Sequence, residues 1–192
     1  MPLPEPAARV INFWVDLGPA GWYAGGADLD AQIRDMFLED WKTAADGGHR
    51  DWLCGAQGTL AFLILTDQFP RNMFRGEAGA FSTDPLAKAT ATRAWQHGLD
   101  LKVEEPLRQF FYVPLMHSES VIDQDRCVCL MKARMPMGGP TGVLHARAHR
   151  EIIRKFGRFP FRNEALGRQS TPQEAEFLAN GGYGEIVRTL QS

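Results

Sequence analysis

Apolar residues recur at helical spacing along most of the chain. Residues 28–46 show the pattern clearly, with one helical face formed by Leu29, Ile33, Met36, Phe37, Trp41 and Ala44. Residues 59–69 are apolar nearly all round, which predicts a buried central helix. No stretch alternates polar and apolar residues with the β-branched enrichment that is typical of strands. The pattern therefore predicts an all-α protein.

Capping residues, glycine and proline set the limits of the predicted helices. Pro70 and Pro114 are each expected to end a helix, because the residue before a proline disfavours helical geometry. Thr171 and Glu174 form a capping box that opens a last short helix. Further helices are predicted over residues 7–17, 84–97, 106–113 and 141–156, and one that is capped by Ser118 or Ser120 and runs to about residue 133.

These elements predict one domain over residues 1–192, arranged as a stack of antiparallel helix pairs with about seven to nine helices. The chain has 44% hydrophobic and 23% charged residues, which is typical of a soluble globular protein. Its formal net charge of −2 provides no basic field for nucleic acid or an anionic membrane. Nucleic acid is therefore not a predicted partner.

The cysteines and the N-terminal residues indicate a cytoplasmic location. Cys54, Cys127 and Cys129 form no CxxC motif or Cys/His cluster, and free thiols fit a reducing compartment. The start of the chain, MPLPEPAARV, lacks the features of a signal peptide. The longest apolar run, LAFLIL, is too short to span a bilayer. No cofactor motif such as a glycine-rich phosphate loop is present, so any cofactor stays unknown. The sequence does not predict the oligomeric state.

A short motif occurs twice, as FPRN at residues 69–72 and as FPFRN at residues 159–163. The first copy follows Asp67 and Gln68, two polar residues at the end of an apolar helix, where a buried carboxylate needs a partner. Arg71 is within reach of Asp67 and of the last carbonyls of that helix. The two copies are expected to be alike because each ends a buried helix. Whether their arginines also share a ligand stays open.

Two histidines face the apolar side of the helix predicted over residues 141–156. At about 100° per residue, His145 and His149 fall inside the arc of apolar side chains. Histidines four residues apart can bind a metal, but histidines that are hydrogen-bonded within a core are more common. No metal site is predicted.

Polar residues also cluster between predicted helices. His117, Ser118 and Glu119 lie where one helix stops and another starts, and helix N-termini attract anions. Gln124 shares a helix side with apolar residues, which indicates a polar group turned inward. The stretch at residues 156–171 contains Arg158, Arg162 and Arg168 among phenylalanines.

Several stretches are long and chemically mixed enough to be distinctive: VINFW at 10–14, LTDQFPRNMFRG at 65–76, DPLA at 84–87, PLMHSE at 114–119, AHREII at 148–153 and FGRFPFRNEALGRQST at 156–171. Over nearly the whole chain they resemble the bacterial family catalogued as domain of unknown function 924. The resemblance implies an all-helical fold related to tetratricopeptide-repeat superhelices. The family has no settled activity, so the resemblance carries over motif positions only: Asp67, Gln68, Arg71, Asn72, His117, Ser118, Glu119, His149, Arg158, Arg162, Asn163 and Arg168.

Two positions depart from the family pattern. Phe161 stands where the pattern usually has histidine, so an activity that depends on that histidine would be absent here. His145 stands at a position that resembles an aromatic one in the family, which weakens the two-histidine metal site further.

The motif residues predict a pocket for a small anionic ligand, a carboxylate or a phosphate, and leave open whether the protein is an enzyme. The candidate proton-transfer groups are His117, Glu119 and His149, since histidine titrates near neutral pH and a carboxylate can act as a base. The candidate ligand-binding residues offer guanidinium, amide and carboxylate groups. They are Asp67, Gln68, Arg71, Asn72, Gln124, Arg158, Arg162 and Asn163.

Two other interpretations use the same residues. A tetratricopeptide-like scaffold would bind a peptide or protein partner in a groove, and the two corners would be structural caps. Alternatively, the polar residues form an internal network that only fixes how the helices pack.

Overall fold

The computed structural model describes residues 2–191, without the side chains of residues 139 and 140. The described residues form α-helices joined by turns and short 3-10 helices, with no strand, which confirms the all-α prediction. Across the same residues, no helix combines the length and the apolar character that crossing a bilayer requires. The α-helices are α1 (Glu5–Gly21), α2 (Ala27–Ala45), α3 (Ala56–Leu63), α4 (Phe69–Met73), α5 (Asp84–Gln96), α6 (Val113–Met116), α7 (Val121–Arg134), α8 (Gly139–Phe156), α9 (Pro172–Ala179) and α10 (Gly182–Gln191).

The helices are grouped in two compact units, with the boundary inside α6. In the first unit, which extends to Pro114, α2 packs against α4, while α1 and α5 pack against α3. In the second unit, which begins at Leu115, α8 packs against α7 and α10. The assignment of residues 1–192 to a single domain stays a prediction.

Aromatic side chains form the core of the first unit. Trp14 of α1 stacks on Trp22, with ring centroids 5.9 Å apart, and Phe110 contacts both rings edge-on. Phe69 of α4 contacts Trp14 at 5.6 Å and Phe37 of α2 at 4.7 Å. All five side chains are buried. Burial of such large apolar surfaces is the main favourable term in folding, so the first residue of the FPRN motif is a core residue.

A π-helical turn at Ile64–Gln68 joins α3 and α4 into one continuous helical run. In this turn the amide of Phe69 donates to the carbonyl of Ile64 instead of to the next carbonyl along the chain. The turn carries Asp67, whose side chain is almost fully buried. Counted with this run as one helix, the described residues contain nine α-helices.

The prediction that Pro70 ends this helix is wrong, because the helix continues to Met73. Pro70 has no amide hydrogen for the carbonyl of Thr66, one turn earlier. The hydroxyl of Thr83 donates to that carbonyl instead, at 2.6 Å. A tertiary hydrogen bond thus replaces the missing helical one, and the first FPRN motif lies inside a helix.

Replacing Thr83 with valine is expected to lower the free energy of unfolding by about 1–3 kcal/mol, because the buried carbonyl of Thr66 would lose its donor. Urea denaturation followed by tryptophan fluorescence measures the change. Ser82→Ala is the matched control, since the exposed hydroxyl of Ser82 bonds to Gly79 within its own turn. An equal loss of stability in both variants would contradict the role given to Thr83.

The second unit is built around α8. Ile152 and Ile153 of this helix form a core with Phe159 and Phe177. The helix is followed by Gly157, whose φ of +69° lies in the left-handed region that glycine adopts without strain. The second copy of the motif then forms a 3-10 turn at Pro160–Arg162. The two copies therefore differ in structure, and the expectation that both end buried helices is wrong.

Two further helix predictions are corrected. Leu107–Phe111 is a 3-10 helix rather than part of an α-helix, and Pro114 lies inside α6. Proline is tolerated there because the first amides of a helix have no intrahelical partner. The sequence pattern also misses α10, since Gly182 and Gly184 at its start are poor helix formers.

Candidate functional site

The predicted site residues fall in two groups, one in each compact unit. The group in the first unit consists of Asp67, Gln68, Arg71 and Asn72. The group in the second unit consists of His117, Glu119, Gln124, His149, Arg158, Arg162 and Asn163. The elements of each unit fix the geometry of its own group.

Arg71 joins the π turn to the elements that follow α4. Its guanidinium donates to the carbonyl of Ala80 and, at 2.6 Å, to Oδ1 of Asp84 at the start of α5. The buried carboxylate of Asp67 lies 3.8 Å from the same guanidinium. Asp67 also accepts a hydrogen bond of 2.5 Å from the side-chain amide of Gln68. These contacts offset the cost of burying a carboxylate.

Asn72 and Arg75 bind α2 through Asp30. Asn72 donates to Oδ1 of Asp30 at 2.8 Å, and Arg75 donates to both carboxylate oxygens at 2.6 and 2.8 Å. The hydrogen bonds from Arg75 are the main reason that the pKa of Asp30 lies below its ordinary value. In this structure Arg71 and Asn72 hold helices together, and their role in ligand binding stays a prediction.

Glu119 accepts hydrogen bonds on both carboxylate oxygens. Arg168 donates to it twice, at 2.7 and 3.0 Å, and the amide of Phe159 donates at 2.8 Å. Burial alone would raise the pKa of Glu119, but the hydrogen bonds from Arg168 and Phe159 hold the pKa below its usual value. The geometry suits Glu119 to anchor residues 157–171 better than to accept a proton.

Glu174 anchors the same segment at its other end. Arg158 donates to both of its carboxylate oxygens, at 2.6 and 2.8 Å, and the amide of Thr171 donates at 2.7 Å. These hydrogen bonds, first those from Arg158 and then that from Thr171, lower the pKa of Glu174 to about 2. The predicted capping box at Thr171 is confirmed.

Asn163 links the two anchors. Its side-chain oxygen accepts a hydrogen bond from Arg168 at 3.0 Å, and its amide group donates to Glu174 at 3.4 Å. Arg158 and Asn163 therefore bind groups of the protein itself in this structure. Their role as ligand-binding residues stays a prediction.

His149 lies at the centre of a cluster of rings. Its ring centroid is 4.9 Å from that of Tyr183 and 5.6 Å from that of Phe159, and the ring of His117 is 6.3 Å away. Nδ1 of His149 is 2.8 Å from the carbonyl oxygen of His145. Because a carbonyl only accepts, Nδ1 carries the proton and Nε2 of the neutral ring keeps a lone pair. No side chain or backbone group in the described part of the chain bonds to that Nε2.

Arg162 brings positive charge to this cluster. Its guanidinium carbon lies 4.6 Å from the centroid of the Phe159 ring, and only 6% of the residue is exposed. Stacking on an aromatic ring fixes the plane of a guanidinium. Its charge is among the causes that lower the pKa of both His149 and Glu119, so it lies within electrostatic reach of both.

Gln124 shapes the turn that carries His117. Its side-chain amide donates to the carbonyls of Met116 and Ser118, at 2.6 and 2.7 Å, on either side of that histidine. The side chain is fully buried, which confirms the prediction of a polar group turned inward. Its Oε1 is buried and has no hydrogen-bond partner among residues 2–191. Gln124 therefore holds the backbone on both sides of His117, and its role in ligand binding stays a prediction.

Burial lowers the pKa of His149 to about 3, and the positive charges of His117 and Arg162 add to this effect. The hydrogen bond to the carbonyl of His145 acts in the opposite direction but does not outweigh burial. The ring is therefore neutral at physiological pH. A neutral imidazole with an open Nε2 can accept a proton or a hydrogen bond from a ligand.

The stability of the protein is expected to fall by about 2 kcal/mol between about pH 7 and pH 4.5 because of His149. The unfolded chain binds a proton at His149 near the ordinary pKa of 6.5, whereas the folded protein binds none until about pH 3. The unfolded state thus holds more protons in this window, so stability decreases as the pH falls. Burial lowers the pKa of His145 and acts in the same direction.

Urea denaturation of the wild type and of His149→Gln across this window measures the effect. The variant is expected to show a flatter dependence on pH, and His97→Gln, which changes an exposed histidine, is expected to behave as the wild type. Glu119 and Glu174 lower stability in the same direction near pH 4.5, where the unfolded carboxylates are about half protonated, but they do so equally in the wild type and in His149→Gln. The same pH dependence in the wild type and His149→Gln would contradict the burial of a neutral ring.

The two histidines of α8 are half-buried and hydrogen-bonded within the protein. Nδ1 of His145 shares a hydrogen bond of 2.5 Å with the hydroxyl of Tyr183, and Nδ1 of His149 is held by a backbone carbonyl. Within residues 2–191, no three His, Cys, Asp or Glu side chains are placed to hold a metal ion together.

Sequence reasoning missed three partners of the predicted residues: Asp30, Glu174 and Tyr183. Tyr183 lies on α10. The helical spacing of Tyr183, Ile186 and Leu190, after the glycines that begin this helix, could have predicted it. Glu174 was visible only as part of a capping box. Its ion pair with Arg158 joins residues that are distant in sequence, and local patterns do not reveal such pairs.

The fold and the residues described above define an all-α protein in which a buried arginine, Arg162, lies in a cluster with half-buried histidines. The chain belongs to the family of bacterial proteins of unknown function DUF924, which matches residues 10–182, and this confirms the resemblance seen in the sequence. The chain is similar to a solved structure of a protein of unknown function from Agrobacterium tumefaciens, with 42% identity and a TM-score of 0.84. That similarity covers 90% of this chain and 96% of the other. No curated protein matches the chain.

Proposed function

We propose that the protein binds a small anionic molecule, a carboxylate or a phosphate, at the cluster of Arg162, His149 and His117. The observation that carries this proposal is a buried arginine on the same ring, Phe159, as a histidine whose Nε2 is open among the described residues. An arginine forks two parallel hydrogen bonds to a carboxylate or a phosphate. Phe159 holds the guanidinium in one plane for such a contact.

The burial of Arg162 strengthens its interaction with an anion. Charge–charge attraction is larger where water is excluded, and Arg162 is almost fully buried. An anion bound there would also offset the positive charges that lower the pKa of His149. Binding is therefore expected to raise the pKa of His149 toward its ordinary value.

His149 is the proposed proton acceptor of the site, with Nε2 as the accepting atom. The ring of His117 lies 6.3 Å from that of His149, centroid to centroid, and is the second imidazole of the site. Glu119 is assigned a positioning role, because its oxygens already accept hydrogen bonds from Arg168 and Phe159.

A cytoplasmic location is part of the proposal and is supported by free thiols at Cys54, Cys127 and Cys129. The alternative is a tetratricopeptide-like scaffold that binds a peptide or protein partner. That alternative gives Arg162 no ligand, so the measurement of anion binding separates the two functions.

Isothermal titration with inorganic phosphate and with acetate, at constant ionic strength, tests the site. Arg162→Gln is expected to weaken binding by about tenfold or more, the usual cost of losing hydrogen bonds to a charged group. Arg154→Gln is the matched control, since Arg154 is an exposed arginine of α8 that pairs with Asp125. The proposal would be contradicted if neither phosphate nor acetate bound, or if the wild type and Arg162→Gln had equal affinity.

A further inference from the structure

The first unit contains a cavity of about 430 Å³ that none of the motif residues lines. The turn at Arg50–Cys54, helix α3 and the second half of α5 surround it. A volume of this size is within the range of small-molecule sites, roughly 300–1,000 Å³. Its lining includes Leu53, Cys54, Thr59, Arg93, His97 and Leu99.

The lining of the cavity includes one cationic side chain, that of Arg93, and no carboxylate. Arg93 and His97 are both exposed at its edge, and no Asp or Glu lines it. Within residues 2–191, the side chains of Arg93 and His97 take part in no hydrogen bond or ion pair. The other walls include Leu53, Ala94 and Leu99, which present apolar surface. The cavity therefore combines an apolar body with one cationic side.

A buried hydroxyl supports the same interpretation. Thr59 lines the cavity and is 2% exposed, and its Oγ1 has no hydrogen-bond partner in the described part of the chain. Buried hydroxyls are nearly always hydrogen-bonded, because an unsatisfied one costs free energy. A ligand with an acceptor group would give this hydroxyl a partner.

We propose that this cavity is a separate binding site for a small carboxylate with an apolar body. The carboxylate pairs with Arg93, the hydroxyl of Thr59 donates to a ligand oxygen, and Leu53 and Leu99 contact the apolar part. Arg93 lies in the last turn of α5, where an arginine also interacts with the helix dipole. If Arg93 served only to stabilise the helix dipole, no ligand would bind. A binding experiment therefore distinguishes that role from the pairing with a carboxylate.

Cys54 provides a built-in reporter at this cavity. It is an exposed free thiol that lines the cavity, whereas Cys129 is an exposed free thiol of the second unit. Alkylation by iodoacetamide, followed by mass spectrometry of the peptides, gives the rate at each cysteine. Octanoate is the probe, and octanamide is its neutral counterpart.

Octanoate at about ten times its dissociation constant is expected to slow the alkylation of Cys54 about tenfold and to leave Cys129 unchanged. Octanamide is expected to protect far less. In Arg93→Gln, protection is expected to need about tenfold more octanoate or above, since a charge-assisted pair is lost. Arg50→Gln, which removes an exposed arginine close to Cys54 in sequence, is expected to behave as the wild type.

Rates are compared with and without ligand within each variant, because removing a nearby charge also changes the reactivity of the thiol. Absence of protection, equal protection by octanamide, equal protection in Arg93→Gln, or slowing of Cys129 to the same degree would each overturn the inference. Arg162 lies outside this unit. The result for octanoate at the cavity is therefore independent of the result for phosphate at Arg162.

Discussion

Replacing Phe69 with alanine is expected to lower the free energy of unfolding by about 3–5 kcal/mol. The side chain is fully buried, and its ring contacts those of Phe13, Trp14 and Phe37. Alanine would leave a cavity among rings that belong to α1 and α2. The cost combines lost apolar burial with lost contacts around that cavity.

Tryptophan fluorescence is a suitable probe for Phe69→Ala, because all five tryptophans of the chain precede Pro114. Urea denaturation gives the change in the free energy of unfolding. Phe161→Ala is the matched control, since Phe161 is 45% exposed and its loss is expected to cost less than about 1 kcal/mol. A loss below that value for Phe69→Ala would show that the ring does not hold these helices together.

Replacing Arg168 with glutamine is expected to lower the free energy of unfolding by about 2–4 kcal/mol. Arg168 donates to both oxygens of Glu119, to the side chain of Asn163 and to the carbonyl of Phe159. Removing it leaves a partly buried carboxylate without its counter-charge. The segment 157–171, which carries Arg162, would lose one of its two anchors.

A double-mutant cycle with Glu119→Gln isolates the ion pair. The double variant is expected to be less destabilised than the sum of the single variants, with a coupling of about 1–3 kcal/mol. Arg154→Gln serves as the control and is expected to cost less than about 1 kcal/mol, because its ion pairs are exposed. Circular dichroism in urea measures stability, and additive effects of the two changes would contradict a direct pair.

Hydrophobic periodicity predicted α2 and α8 well, because each helix buries one stripe of apolar side chains. It failed at Pro70, where proline predicts a helix end. There the hydroxyl of Thr83 satisfies the carbonyl that proline leaves without a donor. Thr83 is distant in sequence, and no local rule can supply a hydrogen bond of that kind.

The polar motifs predicted which side chains are buried more reliably than what those side chains bind. Gln124 and Arg162 are buried, and His145 and His149 are hydrogen-bonded. The partners were not predicted, because Glu174 and Tyr183 meet the motif residues only after the chain has folded. The spacing of residues along one helix contains no information about the partner on another.

Nitrogen-15 NMR of the His149 ring tests the central claim most directly, since it reports the protonation of Nδ1 and Nε2 separately. A neutral ring with the proton on Nδ1 is expected at about pH 5, because burial lowers the pKa of His149 to about 3. Inorganic phosphate is expected to shift the Nε2 signal in the wild type and not in Arg162→Gln. A ring protonated on both nitrogens at that pH, or an Nε2 signal unaffected by phosphate, would contradict an anion site at His149 and Arg162.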